Sequence, residues 1–178
     1  MTLMKSACLT LAVAGCLALP QHADAAIVAH YAVANAPSLC QAFTPGPANT
    51  IRNRVVGAEN VGTATMNVAC TFQKTSAGGA GLPISVTLFF SNNGVDPISV
   101  SCTMLTGWQG WSGAKVVNKW VNVVAGVQSS LNFSASDTSD PADSNLGAAL
   151  IGVNCSLPSH GVINDTYMTW QEDDGVGT

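Results

Sequence analysis

A regular alternation of apolar and polar residues in several short segments constrains the fold of this chain most strongly. From 63 to 72, every second residue is apolar, at Ala64, Met66, Val68, Cys70 and Phe72. Because successive side chains of a β-strand point to opposite faces, this spacing predicts a strand with one buried face. The same alternation recurs at 84–90 and 98–104, and helical spacing is nearly absent.

Weaker patterns of the same kind predict further strands, separated by turn residues such as Asn92-Asn93-Gly94. They cover residues 27–35, 51–58, 114–124, 127–135, 147–157 and 162–172. Short strands with such turns predict an all-β fold, a single antiparallel β-sandwich of about seven to nine strands. We expect this domain to span residues 26–172, followed by a frayed C-terminal tail at 173–178.

The first 25 residues have the pattern of a bacterial signal peptide. Lys5 precedes an apolar stretch at 7–19, and Ala23-Asp24-Ala25 provides small residues for cleavage. A second interpretation is a lipoprotein signal, in which Val13-Ala14-Gly15-Cys16 would be processed and Cys16 lipidated. The apolar sequence that continues after Cys16 favours cleavage after Ala25. We therefore predict a secreted or periplasmic protein, with lipid anchoring at Cys16 as the alternative.

Four cysteines remain after removal of the signal peptide: Cys40, Cys70, Cys102 and Cys155. An even number in an oxidising compartment indicates two disulfides. Three of the cysteines follow valine by two positions within strand patterns, whereas Cys40 lies in a proline-bracketed segment that we expect to be a loop. Three pairings are open, and we favour Cys40–Cys70 with Cys102–Cys155.

The composition excludes several classes of partner. Charged residues make up 9% of the chain and the net charge is −4, against about 25% charged residues in an average domain. Such a chain offers no basic surface for nucleic acid. The mature part contains no apolar stretch long enough to form a transmembrane segment. We expect an extracellular or periplasmic partner, for which a glycan is one candidate.

Catalytic residues are scarce. His30 and His160 are the only histidines of the mature chain, and no G-x-S-x-G motif is present. With few groups available for acid–base chemistry, we expect a non-catalytic protein without a cofactor.

The tryptophans are candidates for ligand binding. Trp108 and Trp111 lie in a glycine-rich segment, where two indole rings could form a platform for sugar rings or close one end of the sandwich. Trp120 and Trp170 lie within strand patterns, and we interpret them as packing residues.

Three carboxylates, Asp137, Asp140 and Asp143, lie in a Ser-rich segment. Together they could bind calcium, which prefers oxygen ligands, or form an ordinary acidic surface loop.

The segment directly after the predicted cleavage site also allows two interpretations. Its alternation at Ile27, Ala29, Tyr31 and Val33 could complete the sandwich of a neighbouring subunit by strand addition. The second interpretation, which we favour, is an ordinary first strand of its own domain.

The order Val-x-Cys-Thr at 68–71, Val-Ser-Cys-Thr at 100–103 and Val-Asn-Cys-Ser-Leu-Pro at 153–158, followed by Ile163 and Tyr167, forms a recognisable pattern. It resembles uncharacterised small exported bacterial β-sandwich proteins with spaced V-x-C strands and a final I-x-x-x-Y strand. The resemblance covers about Cys40 to Glu172 and implies an antiparallel sandwich with disulfides. It carries over no functional residues.

The leading hypothesis is therefore an exported non-catalytic domain with a structural or interaction role. A carbohydrate-binding module that uses Trp108 and Trp111 is one alternative. A pilin-like fibre subunit that assembles through its N-terminal strand is another.

Overall fold

The computed structural model describes residues 27–44, 49–73, 83–107, 114–138, 146 and 150–173. These residues contain eleven β-strands, a four-residue helix α1 (Ala36–Leu39) and a single 3₁₀ turn (Ala135–Asp137). The strands are β1 (Ile27–Asn35), β2 (Cys40–Ala42), β3 (Ile51–Arg54), β4 (Gly57–Asn60), β5 (Met66–Gln73), β6 (Pro83–Asn92), β7 (Ile98–Thr106), β8 (Val116–Val123), β9 (Ser129–Ser134), β10 (Leu150–Leu157) and β11 (Gly161–Asp173).

The strands form two antiparallel sheets that pack face to face. Sheet A has the order β3-β4-β11-β6-β9, and β1 pairs with β11 as a sixth strand. Sheet B has the order β2-β5-β10-β7-β8. This arrangement confirms the predicted all-β antiparallel sandwich.

The core lies between the two sheets and is built from the alternate residues of the central strands. In β6 the inward side chains are Val86, Leu88 and Phe90, and all three are fully buried. Sheet B contributes the inward side chains of β5, β7 and β10, and those of β7 are among the apolar residues that the alternation predicted to be buried. These are Val68, Cys70, Phe72, Val100, Cys102, Met104, Ile151, Val153, Cys155 and Leu157.

Both disulfides have the favoured pairing and join neighbouring strands of sheet B. Cys40 of β2 is bonded to Cys70 of β5, and Cys102 of β7 is bonded to Cys155 of β10. Each pair lies directly opposite in the strand register. The expectation that Cys40 lies in a loop is wrong, because Cys40 begins a short strand immediately after α1.

The segment predicted as one strand at 51–58 is instead a hairpin of β3 and β4. Its turn ends at Gly57, whose φ of 145° is a conformation that only glycine adopts readily. A β-bulge in β11 between Ile163 and Thr166 shifts the alternation. As a result Ile163 faces the core, while Tyr167, four residues later, faces outward.

The N-terminal strand lies in its own domain, as the favoured interpretation expected. β1 pairs with β11 in continuous register from Ile27 to Asn35. The predicted signal peptide and Cys16 lie outside the described residues. Within the described ranges, no helix is long and apolar enough to cross a bilayer.

Candidate functional site

The predicted tryptophan platform belongs to the β7–β8 connection. Trp108 and Trp111 lie outside the described residues, so the platform stays a prediction. The described ends of this connection are anchored to sheet B. Gly107 donates its N–H to the carbonyl of Leu150 at 2.8 Å, and Thr106 and Lys115 are bonded across the base of the hairpin at 3.0 Å.

A third tryptophan of the same hairpin is exposed, contrary to its interpretation as a packing residue. Trp120 is 68% exposed, whereas Trp170 is buried as expected. In β8 the inward positions are Val117 and Val123, so Trp120 lies on the opposite face. The strand parity contains the signal, since Asn118 and Asn122 share the face of Trp120.

Trp120 lies at one end of a row of polar side chains on the outer face of sheet B. The strand register places Trp120 opposite Ser101, Ser101 opposite Ser156, and Ser156 opposite Asn67. The N–H of Phe43, the residue after β2, bonds to the carbonyl of Asn67 at 2.8 Å, so the exposed Phe43 lies at the other end of the same row.

A second row runs parallel to the first, two residues along each strand. It consists of Gln41, Ala69, Asn154, Thr103 and Asn118. In both rows, some polar side chains are hydrogen-bonded to a neighbour on the next strand. Thr103 donates its hydroxyl to Oδ1 of Asn118 at 2.6 Å, and Ser156 donates to Oδ1 of Asn67 at 2.9 Å. The side-chain amide nitrogens of both asparagines are therefore directed away from these bonds.

This outer face carries no charge on any residue that the structure describes. Its outward positions on the five strands are occupied by Asn, Ser, Thr, Gln and a few apolar residues. Lys119 is on the same strand as Trp120 but faces the other way, toward β9. The face therefore presents hydroxyl and amide groups beside an indole ring, without a fixed charge.

The outer face of sheet A carries a different group of aromatic residues. Tyr31 of β1 and Tyr167 of β11 are stacked with ring centroids 5.8 Å apart. Next to Tyr167 lies a shallow cavity of about 280 Å³. Its lining residues are Val33, Phe89, Gln128, Asp165 and Tyr167.

Of the predicted calcium ligands, only Asp137 is described. Its carboxylate accepts hydrogen bonds from the Ser134 N–H at 2.7 Å and the Ser134 hydroxyl at 3.0 Å, and lies 2.5 Å from Nζ of Lys119. These contacts stabilise the 3₁₀ turn after β9. Asp140 and Asp143 lie outside the described residues, so a calcium site stays a prediction. In the described portion, no three potential metal ligands cluster.

The surroundings of Asp137 make its contribution to stability depend on pH. Burial of its carboxyl group raises the pKa of Asp137, but the hydrogen bonds from Lys119 and Ser134 and the Lys119 charge outweigh this and lower the pKa below its usual value. Because folding lowers this pKa, the stabilisation is present above the unfolded-state value of about 3.9 and is lost as the pH falls through the folded-state value.

Asp137→Asn should therefore lower the free energy of unfolding at neutral pH by about 1 kcal/mol. The difference from the parent should shrink below about pH 4, as urea titrations at neutral and acidic pH would measure. Asp96→Asn, which changes a carboxylate that is exposed where Asp137 is half-buried, is the control. If the free energies of unfolding of the parent and of Asp137→Asn differ by the same amount at neutral and acidic pH, the charge of Asp137 does not have the proposed role.

The two histidines lie in separate parts of the fold. His30 of β1 stacks on Trp170 with ring centroids 5.7 Å apart. His160 lies in the β10–β11 turn with a φ of 62°. It borders a cavity of about 520 Å³ together with Asn92 and Asp96.

No protein-family model and no curated protein matches the chain. Among solved structures, the chain is similar to the CBM36-1 domain of a multidomain xylanase from the hindgut metagenome of Trinervitermes trinervoides. The identity is 12% over 84% of this chain and 100% of that domain, with a TM-score of 0.41. It is also similar to a CBM4 structure, with 12% identity over 81% of this chain and 83% of the other, and a TM-score of 0.35. TmCBM61 in complex with beta-1,4-galactotriose is 7% identical over 80% and 84% of the two chains, with a TM-score of 0.32.

Proposed function

We propose that the chain is an exported, non-catalytic domain that binds a neutral polysaccharide on the outer face of sheet B. The observation that supports this most directly is the exposure of Trp120 beside rows of Ser, Thr and Asn without a charged side chain. An indole ring and uncharged hydrogen-bonding groups are complementary to the two kinds of surface that a sugar ring presents.

The indole ring supplies the apolar part of the interaction. A pyranose ring has a face of C–H groups, which can lie flat on an exposed aromatic ring and bury a large apolar area. Its hydroxyl groups project from the ring edge. Ser101 lies next to Trp120 in the register, and Asn118 precedes it by two positions on the same strand. Both are placed to exchange hydrogen bonds with such hydroxyls.

The length of the row suits a chain of several sugars rather than a monosaccharide. Phe43 and Trp120 are separated by four inter-strand spacings, which amounts to about 19 Å. Asn67, Ser156 and Ser101 lie between the two aromatic residues. The absence of charge in this described row favours a neutral glycan over an acidic one, since a carboxylated or sulfated chain would find no cation here.

The test is binding of neutral polysaccharides and oligosaccharides on a glycan array, followed by titration calorimetry with the best oligosaccharide. Trp120→Ala should weaken binding about 30-fold, because a tryptophan that packs against the ligand often contributes roughly 2 kcal/mol. Phe43→Ala should cause a smaller loss, and only with ligands long enough to reach it.

Two control variants separate the site from general surface effects. Trp120→Phe keeps an aromatic ring and should retain part of the affinity. Val116→Ala truncates another exposed apolar side chain of β8 and should change the affinity less than about two-fold. If the parent binds no glycan, the proposal is wrong. If Trp120→Ala binds as well as the parent, the site lies elsewhere.

Trp108 and Trp111 are the proposed extension of this site, since they belong to the connection between the two strands that present Ser101 and Trp120. The double variant Trp108→Ala, Trp111→Ala tests them separately. Loss of binding in this variant alone, with Trp120→Ala unaffected, would move the site to the hairpin loop. Loss in both variants would indicate one continuous site.

A further inference from the structure

The described edges of the two sheets differ in how they are protected from pairing with another chain. Exposed edge strands tend to pair with other strands unless they are short, charged or covered. β3 carries Arg52 and Arg54, and β2 is only three residues long. β8 and β9 approach each other at one side, where Lys119 donates to the carbonyl of Asn132 and pairs with Asp137.

β1 is neither short nor charged, and no described strand pairs with its outer edge. It is nine residues long, contains no proline, and has no Lys, Arg, Asp or Glu. Its pairing with β11 shows no bulge that would turn it away from a partner. Tyr31 and Val33 are 68% and 63% exposed on the outer side. The even-numbered residues of β1 point to the inner face of sheet A, yet Val28 and Ala32 are exposed.

Next to this edge the sandwich is open. An apolar cavity of about 190 Å³ lies between β1 and the end of β5. Its apolar lining is formed by Ala32, Ala34, Leu39, Phe72 and Met168. The cavity is large enough for an aliphatic side chain, and its surroundings favour an apolar occupant.

We propose that two copies of this chain pair through their β1 edges, antiparallel and about a two-fold axis at Tyr31. This register places Tyr31 opposite its counterpart and Ala29 opposite Val33 of the second copy. On the inner side it places Val28 of the second copy beside Ala34, over the apolar cavity. The same contact occurs twice, as a two-fold axis requires.

A second copy fits this edge because the strand is complementary to itself. No pair in this register includes a Lys, Arg, Asp or Glu side chain, so none of these charges is buried between the two strands. The chain carries a net charge of −4, so the net charges of two copies oppose association. β1 carries none of this charge, and Val28 of the second copy can enter the apolar cavity beside Ala34. Both features favour self-association through β1.

Sedimentation velocity of the exported, oxidised protein tests the pairing. We expect the sedimenting mass to rise with concentration from one chain to two. Val28→Lys and Val33→Lys should each weaken the dimer at least about ten-fold, because each places charges in the apolar strip. Val95→Lys adds the same charge to an exposed valine in the β6–β7 turn and should leave the dimer unchanged.

Tyr31→Cys provides a second measurement that does not depend on weakening the dimer. The two-fold axis brings the two introduced thiols together, so an intermolecular disulfide should form, whereas Ser99→Cys on the outer face of sheet B should form no intermolecular disulfide. If β1 were instead exchanged between subunits, the two cysteines would lie apart and no cross-link would form. A parent protein that stays monomeric, or a dimer that is unaffected by both lysine variants, would overturn the proposal.

Discussion

Replacing Cys102 and Cys155 together by alanine should lower the free energy of unfolding by about 2–5 kcal/mol. The bond closes a segment of 53 residues, and both cysteines are buried at the centre of sheet B. Without the bond, the unfolded chain gains conformational freedom and the core loses packed sulfur atoms. The measurement is urea unfolding of the parent and the double variant without reductant.

The double variant of Cys40 and Cys70 is the matched comparison. Its bond closes a segment of 30 residues and attaches the short β2 at the edge of the sheet. In the chain-entropy account, the shorter segment stabilises by about 0.5 kcal/mol less. We also expect a smaller loss of packing there. If both double variants unfold at the same urea concentration as the parent, the disulfides do not contribute to stability as described.

Among the glycines whose surroundings the structure describes, Gly57→Ala should be the most destabilising substitution, by roughly 3–5 kcal/mol. The φ of 145° excludes a side chain on conformational grounds. A Cβ atom here would overlap the carbonyl oxygen of Ile163 and lie 2.9 Å from Cα of Asn164. Both neighbours are backbone atoms at the bulge of β11, so neither can rotate away.

Two other glycines distinguish the effect of the positive φ from the effect of the Cβ overlap with β11. Gly126 has a φ of 73° but open space around it, so Gly126→Ala should cost only about 1–2 kcal/mol from conformation. Gly152 has neither constraint, and Gly152→Ala should change the free energy of unfolding by less than about 1 kcal/mol. Urea titrations of the three variants should give this order. An equal effect at Gly57 and Gly126 would show that the contact with β11 does not matter.

The strands were predictable because their signal is local. Val68, Cys70 and Phe72 alternate with polar residues, and the buried face follows from the geometry of any strand. The cysteine pairing did not follow from this pattern, because three valine-flanked cysteines point inward alike and leave three pairings open. The strand register decides it, by placing Cys40 opposite Cys70 and Cys102 opposite Cys155. Alternation cannot be recognised in the three residues of β2, and for this reason the loop predicted around Cys40 is wrong.

The candidate site was only partly predictable. The strand pattern around Trp120 favours its interpretation as a packing residue, and this interpretation is wrong. The parity of Trp120 with Asn118 and Asn122 indicates the outer face, and in a strand this periodicity outweighs the hydrophobicity of a single residue. The row from Asn67 to Trp120 could not be read from the chain, because its members lie on four strands whose neighbours are set by the fold.

The amino-acid sequence alone determined the class of fold, the inward faces of most strands and the residues available for chemistry, since each depends on neighbours within a few positions. Only the tertiary structure decided that β10 lies between β5 and β7, that a bulge turns Tyr167 outward, and that no described strand pairs with the outer edge of β1. These features depend on which distant segments pair. That choice is made by the packing of the whole core and is not encoded in any single strand.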